Sequence, residues 1–162
     1  METKTRKWVV MLLEISENRT IEMRDMITYK TRVKKDDIPK LITFMTANLD
    51  ALELRKCGSA MFREEDDGGS DGKVSVEIFI PVTGKVKESG RYGFAESFQI
   101  EKAISARHEG SFGDLTATEK ELNEYISSHG YKKTSAPCYV FSSDPDTGEV
   151  IDIYIGVGKE SA

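Results

Sequence analysis

The sequence predicts an α+β fold: two pseudo-symmetric strand–helix–strand–strand repeats joined into one antiparallel-rich concave sheet, with both helices on one face. Three observations carry this expectation. Two stretches place apolar residues at helical spacing between helix-start and helix-stop signals. Shorter alternating stretches flank each of them. Finally, Val76-Glu-Ile-Phe-Ile-Pro-Val82 lines up with Ile151-Asp-Ile-Tyr-Ile-Gly-Val157, 75 positions further on. The same order of helix, terminal glycine, aromatic strand and acidic turn precedes both copies.

Taken in chain order, Trp8 to Ile15 fits either an added strand or a short helix. Thr20 to Arg24 and Ile27 to Val33 read as strands, with a turn at Asp25-Met26. The first helix is expected from about Asp36 to Cys57. Asp36 and Asp37 are placed to cap it, Pro39 suits its first turn, and Gly58 suits a left-handed stop. Its apolar stripe is Ile38, Leu41, Ile42, Met45, Leu49 and Leu52. Strands Ser59 to Arg63 and Lys73 to Val82 follow, joined by the Gly-rich acidic turn 66–72, and residues 83–97 form a charged connection. Phe98 to His108 opens the second repeat. Its helix runs from Asp114 or Thr116 to His129, with Thr116-x-x-Glu119 as a capping box and Gly130 as its stop. Leu115, Leu122, Tyr125, Ile126 and His129 supply the stripe, with His129 placed to interact with the helix C-terminus. Pro137 to Ser142, a turn at Asp144-Pro-Asp-Thr-Gly148 and Val150 to Val157 complete the chain. Residues 1–162 are thus read as one domain, with repeat one at about 20–82 and repeat two at about 98–157.

Charge narrows the function. There are 23 Lys+Arg against 28 Asp+Glu, a net charge of −5. A duplex-binding surface needs a basic excess, so no direct nucleic-acid partner is expected. No apolar run approaches the roughly 20 residues of a membrane span. Lys4, Arg6 and Lys7 before Trp8 to Leu13 mimic a secretory leader, but Glu14 ends the run early and no small-residue cleavage site follows. A cytoplasmic protein without membrane partner is the resulting expectation. Cys57 and Cys138 form no C-x-x-C, and His108 and His129 have no ligand-like spacing to them, so neither a metal nor any other cofactor is expected. The acidic stretches at 64–67 and 144–148 lack the ligand alternation of calcium loops and read as solvated turns.

Period two then assigns faces. Val74, Val76, Ile78 and Ile80 point one way; Ser75, Glu77 and Phe79 point the other. Ile151, Ile153 and Ile155 point one way; Asp152 and Tyr154 point the other. With the aliphatic faces against the helices, the opposite face presents Glu77 with Phe79 and Asp152 with Tyr154, one carboxylate and one aromatic ring from each repeat.

The segment His108-Glu-Gly110-Ser-Phe112-Gly-Asp-Leu115 resembles the H-x-G-x-[YF]-x-x-L signature of the gyrase-inhibitor-like small-molecule-binding family. This family includes the effector-binding domains of AraC- and MerR-type multidrug-responsive activators and is distantly related to the haem-associated SOUL proteins. The resemblance continues through the helix ending at Gly130, the strand Cys138-Tyr-Val-Phe141, Asp144-Pro145 and the last strand. It implies a concave sheet cradling a small, planar apolar or cationic ligand, with two helices behind. One departure follows from counting back from Asp144-Pro145. The family's glutamate falls on Tyr139 and its tyrosine on Phe141, so the acid that meets a cationic ligand and serves hydrolytic members is absent from that strand. His108 is read as ordering the Gly110 turn rather than as a proton donor or haem ligand.

The expected function is a stand-alone small-molecule-binding protein, regulatory or sequestering, for an apolar or cationic effector. No catalytic residue is assigned. The expected ligand-binding residues are Glu77, Phe79, Tyr139, Phe141, Asp152 and Tyr154, the rings stacking on the ligand and a carboxylate offsetting its charge. With the repeats using residues 20–157, too little chain remains for a helix-turn-helix, so such a protein would act alone or with a separate regulatory partner. An inhibitory module docking its acidic surface on another protein is the alternative, and a hydrolase of reactive small molecules the third reading.

Overall fold

Each repeat starts with a long strand, passes through a helix and returns through three strands. The computed structural model describes residues 14–65, 72–87, 91–141 and 150–159. The first repeat contains β1 (Glu14–Lys34), α1 (Ile38–Ala47), β2 (Arg55–Lys56), β3 (Met61–Glu65) and β4 (Lys73–Thr83). The second repeats that order as β5 (Gly93–Glu109), α2 (Leu115–Ser128), β6 (Tyr131–Lys133), β7 (Cys138–Phe141) and β8 (Val150–Lys159). The short strands β2 and β6, which alternation is too brief to reveal, extend the similarity. Lys56 faces Val82 of β4, and Lys133 faces Val157 of β8. The expected turn at 66–72 up to residue 71, the turn at 144–148, and the element at Trp8 to Ile15 up to Leu13 lie outside the described residues, while Glu14 and Ile15 open β1.

The sheet order is β1-β5-β8-β7-β3-β4, and β4 pairs back onto β1, so the described strands close into a ring with β2 and β6 attached to β4 and β8. Every pair in it is antiparallel. The two repeats meet where Glu22 pairs with Gln99 and where Phe62 pairs with Tyr139, both partners being 77 positions apart. A local two-fold axis therefore runs through both junctions.

Both helices pack on one face. Ile38, Ile42, Met45 and Leu49 of the first helical segment and Leu115, Leu122 and Ile126 of α2 share a core with Ile78, Ile80, Ile104, Ile151, Ile153 and Ile155. At its centre the Phe62 and Tyr139 rings stack across the axis at 4.6 Å, and Phe112 and Phe141 flank them. The Tyr139 hydroxyl donates to Glu119. That carboxylate occupies the position in α2 that buried Ile42 occupies in α1, and burial raises its pKa, Lys35 opposing the shift and Glu64 adding to it.

Several boundaries differ from expectation. β1 is one strand, not two with a turn at Asp25-Met26. Asp25 adopts φ 51 within it, and ladders to β5 on one side and β4 on the other carry the backbone through. Asp tolerates this left-handed geometry at small cost. The first helix stops at Ala47 rather than Cys57. The Asn48 side chain donates to the Phe44 carbonyl at 2.8 Å, a 3-10 turn follows at Asp50–Leu52, and Glu53 supplies the left-handed stop at φ 60. Gly58 instead lies against Pro81, where a Cβ would come within 3.2 Å. Leu52, past the helix end, is exposed, and Leu41 is only partly buried. Asp36 and Asp37 lie in a 3-10 turn and make no side-chain cap, while Pro39 does fall in the first turn. α2 matches its expected span, and Gly130 ends it at φ 73. Its capping box does not form, because Asp114 is the N-cap. Thr116 accepts from Lys35 at 3.2 Å and Glu119 turns inward to Tyr139.

Phe62→Ala should cost about 3–5 kcal/mol in urea denaturation by emptying the centre of the stack. Phe44→Ala, at a 61% exposed position, should stay within about 0.5 kcal/mol. Equal losses would place the core elsewhere. A carboxyl whose folded pKa lies above its unfolded value contributes most at low pH, and that contribution falls as pH rises through the folded value. Glu119→Gln keeps an acceptor for Tyr139 without the charge. It should therefore gain stability relative to the parent chain between about pH 4 and pH 7. A gap that narrows over that range contradicts the assignment.

Candidate functional site

The face turned away from the helices carries its own apolar cluster: Ile21, Met26, Met61, Phe79, Ala103, Cys138 and Tyr154, flanked by Met23, Ala95, Phe98, Ile100 and Val140. Met26, Met61 and Ala103 are fully buried although neither helix packs on this side. Curvature of the closed sheet is what brings their side chains together, and it makes this face concave.

Glu77, Phe79, Asp152 and Tyr154 all lie on it, as alternation along β4 and β8 predicts. Tyr139 and Phe141 do not. They sit on the helix side with Phe62, so the expected four-ring floor reduces to Phe79 and Tyr154, joined by Phe98 at 5.7 Å from Phe79. The register explains this: Cys138 pairs with Tyr154 and Val140 with Asp152, and directly paired residues point to the same side. The concave positions of β7 are therefore Cys138 and Val140. Counting back from Asp144-Pro145 lands one residue off that face, yet neither concave position is acidic.

Both acids are engaged by arginine. Arg63 donates through Nη2 to Glu77 Oε1 at 2.8 Å, with Nε 3.3 Å from the same oxygen. Arg107 makes a two-pronged pair with Asp152, Nε to Oδ1 at 2.9 Å and Nη2 to Oδ2 at 3.1 Å. Glu77 and Asp152 are only 8% and 7% exposed. Carboxylates at that depth need a charged donor, and a planar guanidinium supplies two bonds at once. Arg63 also lies over the Phe79 and Phe98 rings, 5.3 and 5.7 Å from their centres. Arg19 donates to the Tyr154 hydroxyl at 3.0 Å, with its guanidinium carbon 5.7 Å from that ring's centre. These contacts raise the pKa values of Arg19 and Arg107, through the Tyr154 and Asp152 hydrogen bonds respectively. Burial pushes the Cys138 thiol up to about 11, so it stays protonated.

The three arginines are what the sequence reading missed. Arg63 was within reach, since it faces Glu77 across the β3–β4 pair. Arg19 and Arg107 meet their partners through contacts 135 and 45 positions apart and carry no local signal.

One end of the concave face opens into a pocket of about 420 Å³. Ile21, Met23, Val140 and Tyr154 give it apolar surface, Glu22 and Arg24 add a charged pair, and Cys57 to Ser59 form a wall beside Pro81. The volume falls within the range of small-molecule sites, and its lining combines apolar area with a few polar groups.

The signature histidine is held by two hydrogen bonds. His108 is buried, its Nε2 donating to the Ser111 carbonyl at 2.6 Å and its Nδ1 accepting from the Thr118 hydroxyl at 2.7 Å. It ties the end of β5, the turn at Gly110 (φ 123) and the first turns of α2 together. His129 lies 2.9 Å through Nδ1 from the Tyr125 carbonyl at the end of α2, as expected. Among the described residues no group of three or more His, Cys, Asp or Glu is arranged to hold a metal, and no helix is long and apolar enough to cross a membrane.

No family model and no curated protein matches the chain. Solved structures do match its fold. EcmrR in its complex with DNA superposes with a TM-score of 0.71 at 18% identity, over 98% of this chain and 62% of that one. The chain thus spans less than two thirds of that EcmrR chain. The isolated EcmrR C-terminal domain gives 0.63 at 16% identity, over 92% of this chain and 99% of that domain. A hydrolase from Listeria innocua gives 0.57 at 8% identity, over 90% and 91%. The chain therefore has the fold of the EcmrR C-terminal domain.

Proposed function

We propose that the protein binds a small, planar, largely apolar molecule in the pocket on the concave face of its sheet. The observation that carries this reading is the second apolar cluster, which forms on the face opposite the helices and opens at one end beside Tyr154. Arg19 holds the Tyr154 ring through its hydroxyl and from over the ring, so little side-chain freedom is lost when a ligand stacks on it. Phe79 supports the floor from the related position of the first repeat. Glu77 and Asp152 act through the arginines they hold, orienting Arg63 and Arg107 along the groove, rather than by meeting a cation themselves. A cationic ligand finds no unpaired carboxylate among these two. Neutral and weakly charged planar molecules are consequently the favoured class, and an effector-responsive or sequestering role for such a protein follows.

Thermal-shift titration with matched planar aromatic compounds, cationic and neutral, tests this. Some members should raise the melting temperature in proportion to occupancy. Tyr154→Ala should weaken them about 3- to 10-fold, corresponding to the roughly 0.5–1.5 kcal/mol of one aromatic contact. Cations should gain no more than about 3-fold over neutral isosteres in the parent chain. Arg63→Gln, which frees Glu77, should raise that preference, and added salt should lower it again. Stabilisation by cations alone in the parent chain would contradict the role given to the arginines. No stabilisation by any compound would contradict the proposed function.

A further inference from the structure

The two-fold relation allows each place from β1 to β3 to be compared with its counterpart 77 positions further on. Beside the C-terminal end of α2 the space is filled. The hydroxyls of Tyr125 and Tyr131 both donate to Glu17 of β1, the Tyr125 ring stacks on His129 at 3.8 Å, and Lys102 lies 5.6 Å over Tyr131. Those hydrogen bonds hold the Glu17 pKa below the usual carboxylate range. In the first repeat the counterparts of Glu17, Tyr125, His129 and Tyr131 are Phe94, Asn48, Leu52 and Leu54. Among the described residues no such plug forms there, and a pocket of about 510 Å³ lies beside Leu52 and Leu54.

Leu52, Leu54, Val86 and Tyr92 give this pocket apolar walls, and Lys85 and Lys87 stand on its exposed side. Its backbone is set in advance. Glu53 is held at φ 60 and Gly84 at φ 115, and a Cβ on Gly84 would come within 2.9 Å of the Glu53 carbonyl oxygen. Tyr92 is held against Tyr29 at 5.6 Å between ring centres. Leu52 remains 41% exposed. Glu53 is the acidic residue lining the pocket, against two lysines that have no ion-pair partner among the described residues. The described lining thus carries one more positive than negative charge.

We propose that this pocket is a second site, distinct from the concave face, for an amphipathic monoanion: an alkyl or aryl body seated against Leu52, Leu54 and Tyr92, with a carboxylate directed to Lys85 and Lys87. Burying the apolar body supplies most of the affinity, and the lysines supply selection for the anion. The site is on the helix side of the sheet, so it stands or falls independently of the proposed groove.

The test is a backbone amide NMR titration of the full chain with decanoate below its micelle concentration, set against neutral decanamide. Amide shifts should concentrate at Leu52 to Leu54, Lys85 to Lys87 and Tyr92, with decanoate bound about tenfold more tightly than decanamide. The Lys85→Gln, Lys87→Gln double variant should lose about that tenfold for decanoate and leave decanamide unchanged, and Leu52→Glu, at an exposed position, should weaken both. Absence of shifts at these residues, equal affinity for the acid and the amide, or shifts centred on Met23 and Tyr154 instead would each overturn the proposal.

Discussion

The pairing of β3 with β7 is the contact on which the rest of the molecule depends. It joins the two repeats through only two paired positions, Met61 with Val140 and Phe62 with Tyr139. So short a ladder closes the ring because each pair is reinforced on its own side of the sheet. On the helix side the Phe62–Tyr139 stack lies at the centre of the core, and Tyr139 is tied to α2 through Glu119. On the concave side Met61 is fully buried with Phe79, Cys138 and Tyr154. The second junction, between β1 and β5, is long and self-sufficient. The short one is what converts an open sheet into a ring, and hence a flat face into a concave one.

Closure also explains the electrostatics of the groove. Alternation places one acid and one ring per repeat on the inner face, and curvature then buries the acids. Each is matched by an arginine, but from different elements: Arg63 on the neighbouring β3 for Glu77, and Arg107 on β5 for Asp152. The repeats thus solve the same desolvation problem with non-equivalent partners. The residue 77 positions on from Arg63 is Val140, so the place that carries a guanidinium in the first repeat carries an apolar side chain in the second. The pocket opens beside Val140 and Tyr154. The two repeats share a frame, and positions at which they differ line the pocket.

Much of the frame was legible because it depends on local periodicity. The helical stripe of α2, the faces of β4 and β8, and the repeat between Val76 and Val157 follow from spacing alone. The end of α1 was not, since the apolar positions Leu49 and Leu52 continue the helical period past the point where Asn48 takes up a carbonyl and the chain tightens into a 3-10 turn. The side assigned to Tyr139 and Phe141 failed for a different reason. Four residues of β7 alternate whichever way they face, and only pairing with β8 decides which pair points inward. Arg19 and Arg107 were invisible because a charged residue on a strand looks solvated until a partner from elsewhere in the chain is brought to it. The capping box at Thr116 was a motif with the right letters, overridden when Glu119 found Tyr139.

On the proposed reading the concave face, and not the helix side, receives the planar ligand. Methionine methyl groups report on it directly, since Met23, Met26 and Met61 belong to the concave cluster while Met45 lies in the core under α1. The measurement is a methyl NMR titration of methionine-labelled protein with a planar neutral compound that raises its melting temperature. Saturable shifts are expected at Met23, and smaller ones at Met26 and Met61, with Met45 unmoved. Shifts led by Met45, or saturation without any response from the three concave methionines, would contradict that reading.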